Sequence, residues 1–134
     1  MSSFRNLNSI HIPRLQFDMF LNRVRESDVE VGGLIIGYIE GDKAYCNEIK
    51  IGRNILDSPY EFRLDDSFLA SVISRLSENE DIIGVIHSHP APPYPSIVDR
   101  KYMKLWPVVW VIVDSRTLDY RGWLGDKEIK VVIH

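Results

Sequence analysis

His87 and His89 are separated by one residue at the end of an apolar run, in the stretch GVIHSHPAPPYPSIVDR (residues 84–100). Side chains alternate between the two faces of a strand, so residues i and i+2 point the same way. If the apolar run is a strand, the two imidazoles lie side by side and form half of a metal site. Ser88 then faces the other way and is expected to bond the backbone. A polar pair where a strand meets solvent is the alternative explanation.

Asp99 is the candidate third ligand, ten residues beyond His89. Four prolines stiffen the connecting loop, because each fixes its own φ and restricts the residue before it: Pro90, Pro92, Pro93 and Pro95. Ser96 and Asp99 also have the spacing of a capping box, with Ser96 as N-cap and Asp99 at N3. The two roles compete, since an Asp99 oxygen bound to a metal is not free to reach the Ser96 amide.

Two histidines and one carboxylate, with water in the open position, are the ligands of a catalytic zinc. Amide hydrolysis also needs a group that moves protons, which a carboxylate can provide. Glu30 stands just before the run VGGLIIGYI (31–39), whose glycines allow close backbone packing. Taken alone, a glutamate before a strand is typical of solvated surface, so the meaning of Glu30 depends on its neighbours.

Helices and strands that would position these residues can be predicted along the chain. Apolar residues with helical spacing form three groups: Phe17, Phe20, Leu21 and Val24; Leu69, Val72, Ile73 and Leu76, preceded by Asp65 and Asp66 as candidate caps; and Val98, Tyr102 and Leu105. Runs rich in β-branched and aromatic residues predict six strands: VGGLIIGYI, KAYCNEIKI, IIGVIH, PVVWVIVD, LDYRGWL and EIKVVIH. The pattern predicts an α/β or α+β fold with helices packed against a sheet, and leaves the strand order open.

The composition is that of an ordinary globular chain. The 134 residues are 45% hydrophobic and 26% charged, which predicts one domain over residues 1–134 with its own core. A net charge of −3 argues against a nucleic-acid partner, and no apolar run is long enough to span a membrane. The start of the chain lacks the apolar core of a signal peptide, and the single Cys46 suits a reducing cytoplasm. Cys46 is expected to be a packed side chain.

The order of these elements resembles a known motif. Glu30 followed by VGGLIIG, then HSHP and then PSIVD, resembles the JAMM motif of the MPN+ metalloproteases, zinc deubiquitinases that have short stand-alone prokaryotic members. The resemblance implies one zinc per chain, with His87, His89 and Asp99 as ligands. It implies Glu30 as general acid/base and Ser96 as the group that stabilises the oxyanion. Six residues separate His89 from Ser96 here, one fewer than in the usual pattern.

The resemblance also carries expectations about fold and substrate. It implies a mixed sheet curved around and flanked by helices, in a three-layer arrangement like that of cytidine deaminases. The expected reaction is cleavage after the C-terminal Gly-Gly of a ubiquitin-like or sulfur-carrier protein, and SPYEFRL (58–64) is a candidate edge for the extended tail. A non-catalytic MPN scaffold and a zinc peptidase acting on small peptides are the alternatives. Formation of a homodimer is left open.

Overall fold

Seven strands and three helices make up the described part of the chain, residues 6–52 and 65–134, in the computed structural model. In chain order they are β1 (Ser9–Ile12), α1 (Arg14–Glu26), β2 (Gly32–Glu40), β3 (Lys43–Gly52), α2 (Asp66–Ser74), β4 (Asp81–His89), α3 (Ile97–Leu105), β5 (Val109–Asp114), β6 (Tyr120–Leu124) and β7 (Lys127–Ile133). The three predicted helices and six predicted strands are all present. β1 was not predicted. The candidate edge SPYEFRL lies outside the described residues.

The strands form one mixed sheet that closes on itself in the order β1-β3-β2-β4-β5-β6-β7. β1 pairs in parallel with both β3 and β7, β4 pairs in parallel with β5, and the remaining neighbours are antiparallel. The closure leaves no free edge among these seven strands. The expected mixed, curved sheet is confirmed, and β4 lies between β2 and β5 with ladder partners on both sides.

Helices cover both faces of the sheet. Successive residues of β5 alternate between two apolar clusters, since Val111 lies in one and Ile112 in the other. Phe20 of α1 belongs to the first cluster, and Val72 of α2 and Met103 of α3 belong to the second. The three-layer arrangement is therefore confirmed, with α1 on one face and α2 and α3 on the other.

Helices α1 and α2 bury the apolar residues that the sequence predicts, except for Ile73 of α2. In α1, Phe17, Phe20 and Val24 are buried. Asp65 caps α2 by accepting a hydrogen bond from the backbone N–H of Ser67. Ile73 of α2 is 54% exposed, so α2 buries fewer residues than its apolar pattern predicts. None of the described helices has the length and apolar character needed to cross a membrane.

Helix α3 presents its apolar side to solvent. Its buried residues are Asp99 and Met103, one turn apart. The residues of the predicted apolar stripe are exposed instead: Val98 by 36%, Tyr102 by 40% and Leu105 by 80%. The prediction of a helix here is right, and its orientation is set by Asp99 and Met103.

Two glycines bring β2 close to β3, as the run VGGLIIGYI predicts. A Cβ atom on Gly33 would lie 2.6 Å from the carbonyl oxygen of Lys50, and one on Gly37 would lie 1.8 Å from that of Tyr45. Contacts this short do not occur, so both positions need glycine. The close packing fixes the strand that starts two residues after Glu30.

Candidate metal and catalytic site

Strand β4 places His87 and His89 side by side at its end. Both are buried, with exposures of 1% and 7%, and their ring centroids lie 5.6 Å apart in an edge-on arrangement. In the ladder, His87 is opposite Gly32 of β2 and Ile112 of β5. The interpretation of this run as a strand is right, and the histidines do not mark a surface end.

Ser88, between the two histidines, ties β4 to the segment that carries Glu30. Its hydroxyl oxygen accepts a hydrogen bond from the Val31 N–H at 3.0 Å, and its own N–H donates to the Val31 carbonyl at 2.9 Å. Both groups are buried, as predicted for a serine that bonds the backbone. Because Val31 directly follows Glu30, these bonds fix Glu30 relative to the histidines.

Glu30 is buried in the site and is not a surface residue. It is 4% exposed, and its Oε1 lies 3.5 Å from His87 Nδ1. Burial raises the pKa of Glu30 above its ordinary value, although the neighbouring His87 and His89 offset part of the rise. The glutamate thus lies on the opposite side of the His87 ring from the atom that faces Asp99.

Asp99 serves helix α3 and the histidines at once. Its Oδ2 accepts a hydrogen bond from the Ser96 N–H at 2.9 Å, and its own N–H donates to Ser96 Oγ at 3.0 Å, so the capping box is complete. Its Oδ1 lies 3.1 Å from His87 Nε2, and its Oδ2 lies 3.8 Å from His89 Nε2. The competition between capping and metal binding stays a prediction, because the Oδ2 that accepts the Ser96 N–H is also the oxygen that lies 3.8 Å from His89 Nε2.

The buried ionisable groups of the site shift one another's pKa values. Burial alone would lower the pKa of His87, but the carboxylates of Asp99 and Glu30 outweigh it and raise the pKa to about 10. Burial alone would raise the pKa of Asp99, but His87 and the Ser96 backbone hold it well below its ordinary value. The ionised Asp99 is therefore stabilised by positive charge beside it, which an imidazolium or a cation can supply.

The donor atoms are of the types that zinc takes in proteins. Among the described residues, no three His, Cys, Asp or Glu side chains are grouped as a complete metal cluster. However, the Nε2 atoms of His87 and His89 lie 3.1 and 3.8 Å from oxygens of Asp99. Two ligand atoms of a tetrahedral zinc lie about 3.3 Å apart when each is about 2.0–2.1 Å from the metal. The two distances go to different oxygens of Asp99, and His89 Nε2 also lies 3.3 Å from the Tyr94 carbonyl oxygen, so these side chains would have to turn to share one zinc ion.

A small polar cavity of about 90 Å³ opens beside Glu30 and His89. Its remaining walls come from the loop before β2 and from the ends of β4 and β5: Ser27, Asp28, Val29, Ser88, Pro90 and Ser115. His89 Nδ1 is buried and has no hydrogen-bond partner among the described residues. The cavity gives water or a substrate group a place next to Glu30.

Sequence reasoning missed the residues that hold the proline loop. Trp123 of β6 donates a hydrogen bond from Nε1 to the Pro93 carbonyl at 3.0 Å, and its ring packs on Tyr94 with centroids 5.4 Å apart. Arg121 also lies over the Tyr94 ring, 5.3 Å from the ring centroid. No pattern in the sequence links residues so far apart. This support lets the short loop bring Ser96 and Asp99 to the histidines.

Comparison with known proteins identifies the family. The family of prokaryotic homologs of the JAB domain matches residues 16–124. Desampylase of Pyrococcus furiosus is 34% identical over 135 residues, which cover 96% of this chain and 93% of that protein.

Solved structures share the fold. A Desulfitobacterium hafniense protein has a TM-score of 0.82 at 21% identity, over 93% of this chain and 92% of that one. A JAB1/MPN domain protein of Archaeoglobus fulgidus has a TM-score of 0.61 at 17% identity, over 92% and 97%. The resemblance drawn from the motif is confirmed, and the chain belongs to the family of prokaryotic homologs of the JAB domain.

Proposed function

We propose that the chain is a zinc-dependent isopeptidase that hydrolyses the amide bond after the C-terminal Gly-Gly of a ubiquitin-like or sulfur-carrier protein in the cytoplasm. One observation carries the proposal: Glu30, His87, His89 and Asp99, from three separate parts of the chain, meet at one buried point. The relative named Desampylase supports the substrate class, because that name denotes removal of the ubiquitin-like modifier Samp.

His87, His89 and Asp99 would hold the zinc, because both imidazoles lie beside the Asp99 carboxylate. When bound there, zinc supplies Lewis-acid polarisation of the scissile carbonyl and makes water a better nucleophile. The Ser96 capping bond restrains the Asp99 carboxylate, and the β4 ladder restrains both histidines. The ligands are therefore held by secondary structure before any metal arrives.

Glu30 is the proton carrier of this proposal. It is buried beside His87 and borders the small cavity, so it can accept a proton from the attacking water and return it to the leaving amine. Its carboxylate is positioned by the Ser88 bonds to Val31. Its role is supported by this position at the cavity.

Ser96 is the proposed donor to the developing oxyanion. Its Oγ accepts a hydrogen bond from the Asp99 N–H, and its hydroxyl also bonds the Asp99 carboxylate, which helps to keep the pKa of Asp99 low. To stabilise an oxyanion, the hydroxyl would turn from that carboxylate to the substrate. A donor held by a helix cap is preorganised, which is what stabilisation of an oxyanion requires.

The test compares Glu30→Gln with wild type on three substrates. They are a lysine peptide conjugated to a ubiquitin-like protein ending in Gly-Gly, the same conjugate ending in Gly-Val, and a short unrelated peptide. Glycine lets an extended tail lie close to the backbone of the site, so the valine tail should not be cleaved. Glu30→Gln should keep its zinc while cleavage of the glycine conjugate falls about 10²- to 10⁴-fold.

Glu26→Gln is the matched control, because Glu26 is exposed at the end of α1 and takes the same substitution. It should leave zinc content and turnover unchanged. Equal cleavage of the glycine and valine conjugates would refute the isopeptidase assignment. Fast turnover of the unrelated peptide would favour a small peptidase, and zinc without turnover of any substrate would favour a scaffold.

A further inference from the structure

We infer that the outward face of α3 docks the folded body of the ubiquitin-like substrate, through a patch on that body with an apolar centre and acidic rim. This inference rests on the proposed function, and it adds a binding surface outside the catalytic group. The docking face is defined as Ile97, Val98, Lys101, Tyr102 and Leu105, with Lys104 at its border.

The docking face is apolar over most of its width. Ile97 is 79% exposed and Leu105 is 80% exposed, and the helical projection places Val98 (36%) and Tyr102 (40%) on the far side of Leu105 from Ile97. At 100° per residue, the five residues of the face fall within an arc of about 140°. Single exposed apolar residues are ordinary, but four within this arc of one nine-residue helix favour an interaction site.

Position relative to the site identifies the occupant. The helix that carries the docking face begins with the Ser96 cap and carries Asp99 in its first turn. Nine helical residues extend about 13 Å, and four residues of an extended tail cover about the same distance. A folded protein whose C-terminal tail enters the site is therefore held within reach of α3.

Charge favours an acidic partner. The exposed Lys101 and Lys104 form no ion pair among the described residues, and Arg100 is paired with Asp126. A cavity of about 420 Å³ adjoins the helix and is lined by Arg100, Met103, Lys104, Pro107, Gly125 and Asp126. Since the whole chain has a net charge of −3, this local positive charge is a property of the helix and not of the surface in general.

Leu105→Glu tests the docking face without touching the proposed ligands or proton carrier. Two substrates are compared: a lysine peptide conjugated to a Samp-type ubiquitin-like protein, and the same lysine peptide carrying only a short tail that ends in Gly-Gly. For the protein conjugate, KM should rise at least 10-fold with kcat unchanged. Cleavage of the short-tail peptide should stay within twofold, because it makes no contact with α3.

Leu15→Glu is the matched control. Leu15 is 70% exposed on α1, which lies on the other face of the sheet, so the same substitution there should change neither substrate. Lys101→Glu combined with Lys104→Glu is an independent second variant. It should raise KM for the conjugate alone, and more strongly at low salt, because exposed charges are screened as salt increases.

The outcomes separate this inference from the proposed function. Wild type that cleaves neither substrate overturns the proposed function and the docking face with it. Wild type that cleaves both while Leu105→Glu changes neither, or weakens both equally, overturns the docking face alone. A wild-type dimer that Leu105→Glu converts to monomer would assign the face to a second copy. Protease protection of residues 53–64 that only Leu105→Glu abolishes would assign it to that segment.

Discussion

At the scale of single residues, Asp99 divides its two carboxylate oxygens between the helix and the histidines. One oxygen lies 3.1 Å from His87 Nε2, while the other accepts the Ser96 N–H and lies 3.8 Å from His89 Nε2. The cap fixes the carboxylate through Oδ2 and leaves Oδ1 directed at His87. A substitution that keeps the cap but removes the charge can therefore separate the two roles.

Asp99→Asn should lose most of its zinc while remaining folded. The amide oxygen can still accept the hydrogen bond from the Ser96 N–H, so α3 keeps its cap, but a neutral amide is a poor zinc ligand.

His89→Ala should also lose zinc, because it removes an imidazole ligand. Metal analysis of dialysed protein and circular dichroism measure the two properties, with the exposed Asp126→Asn as the control for the same substitution. Full zinc retention in Asp99→Asn would return Asp99 to a capping role alone.

Ser88→Ala should impair turnover more than metal binding. It leaves the buried Val31 N–H without its hydroxyl partner, which costs about 1–3 kcal/mol of folding free energy. It also loosens the segment that carries Glu30, so kcat should fall about tenfold, as for a small displacement of a catalytic group. Zinc content should stay near wild type, and Ser88→Thr should restore kcat. A loss of stability with unchanged kcat would make Ser88 purely structural.

The sequence predicts the residue types of the candidate site better than their surroundings. His87 and His89 follow from strand alternation, because a period of two places them on one face. Glu30 could not be distinguished from a surface glutamate by local pattern, since its burial depends on strands that are distant in sequence. The contact of Trp123 with Pro93 spans 30 residues and has no local signal at all.

At the scale of elements, the orientation of α3 departs from the usual rule for amphipathic helices. An apolar stripe normally faces the core. Here Asp99 must point to the histidines, and Met103, one turn later, is drawn into the cluster that contains Val72. The stripe of Val98 and Leu105 is turned outward as a consequence. The two buried residues, Asp99 and Met103, thus orient α3 against the apolar pattern of its sequence.

Met103→Ala and Leu105→Ala should differ sharply in their effect on stability. Met103 is 6% exposed, so its truncation leaves a cavity and should cost about 2–5 kcal/mol of unfolding free energy. Leu105 is 80% exposed, so its truncation should change that free energy by less than about 0.5 kcal/mol. Urea unfolding of both variants measures the difference. Equal destabilisation would mean that α3 buries its apolar stripe in solution.

The strands illustrate the limits of local pattern at this scale. Six strands are rich in β-branched or aromatic residues and were predicted from composition. β1 has only four residues, Ser9–Ile12, and its strand character comes from parallel pairing with β3 and β7. Those partners are remote in sequence, so neither β1 nor the closure of the sheet could be predicted from local residues.

At the scale of the whole molecule, the candidate site borders one of the two apolar clusters, since the His87 ring lies edge-on to Trp110 with centroids 5.9 Å apart. Two apolar clusters fill the two faces of the sheet, and the site lies where β4 and α3 meet. His87, with its pKa raised to about 10, supplies at neutral pH one positive charge beside the two buried carboxyl groups when no metal is bound. We therefore expect the fold to persist without a metal, unlike that of a zinc finger.

Removing the metal should abolish hydrolysis while the chain remains folded. The rate at which a thiol reagent labels Cys46 measures whether the chain stays folded. Cys46 is the only cysteine in the sequence and is 6% exposed, and burial raises its pKa to about 12. In the folded chain at pH 7–9, a thiol reagent therefore cannot reach the sulfur, and the sulfur is not ionised to the reactive thiolate. After chelation, labelling of Cys46 should stay slow, and the thermal midpoint should fall only by the stabilisation that bound metal adds. Denaturing the same sample should give complete labelling, and adding zinc back should restore hydrolysis. Cys46 lies in β3, away from the histidines, and becomes accessible only when the apolar cluster around it opens. Rapid labelling after chelation alone would therefore show that the metal holds the sheet together.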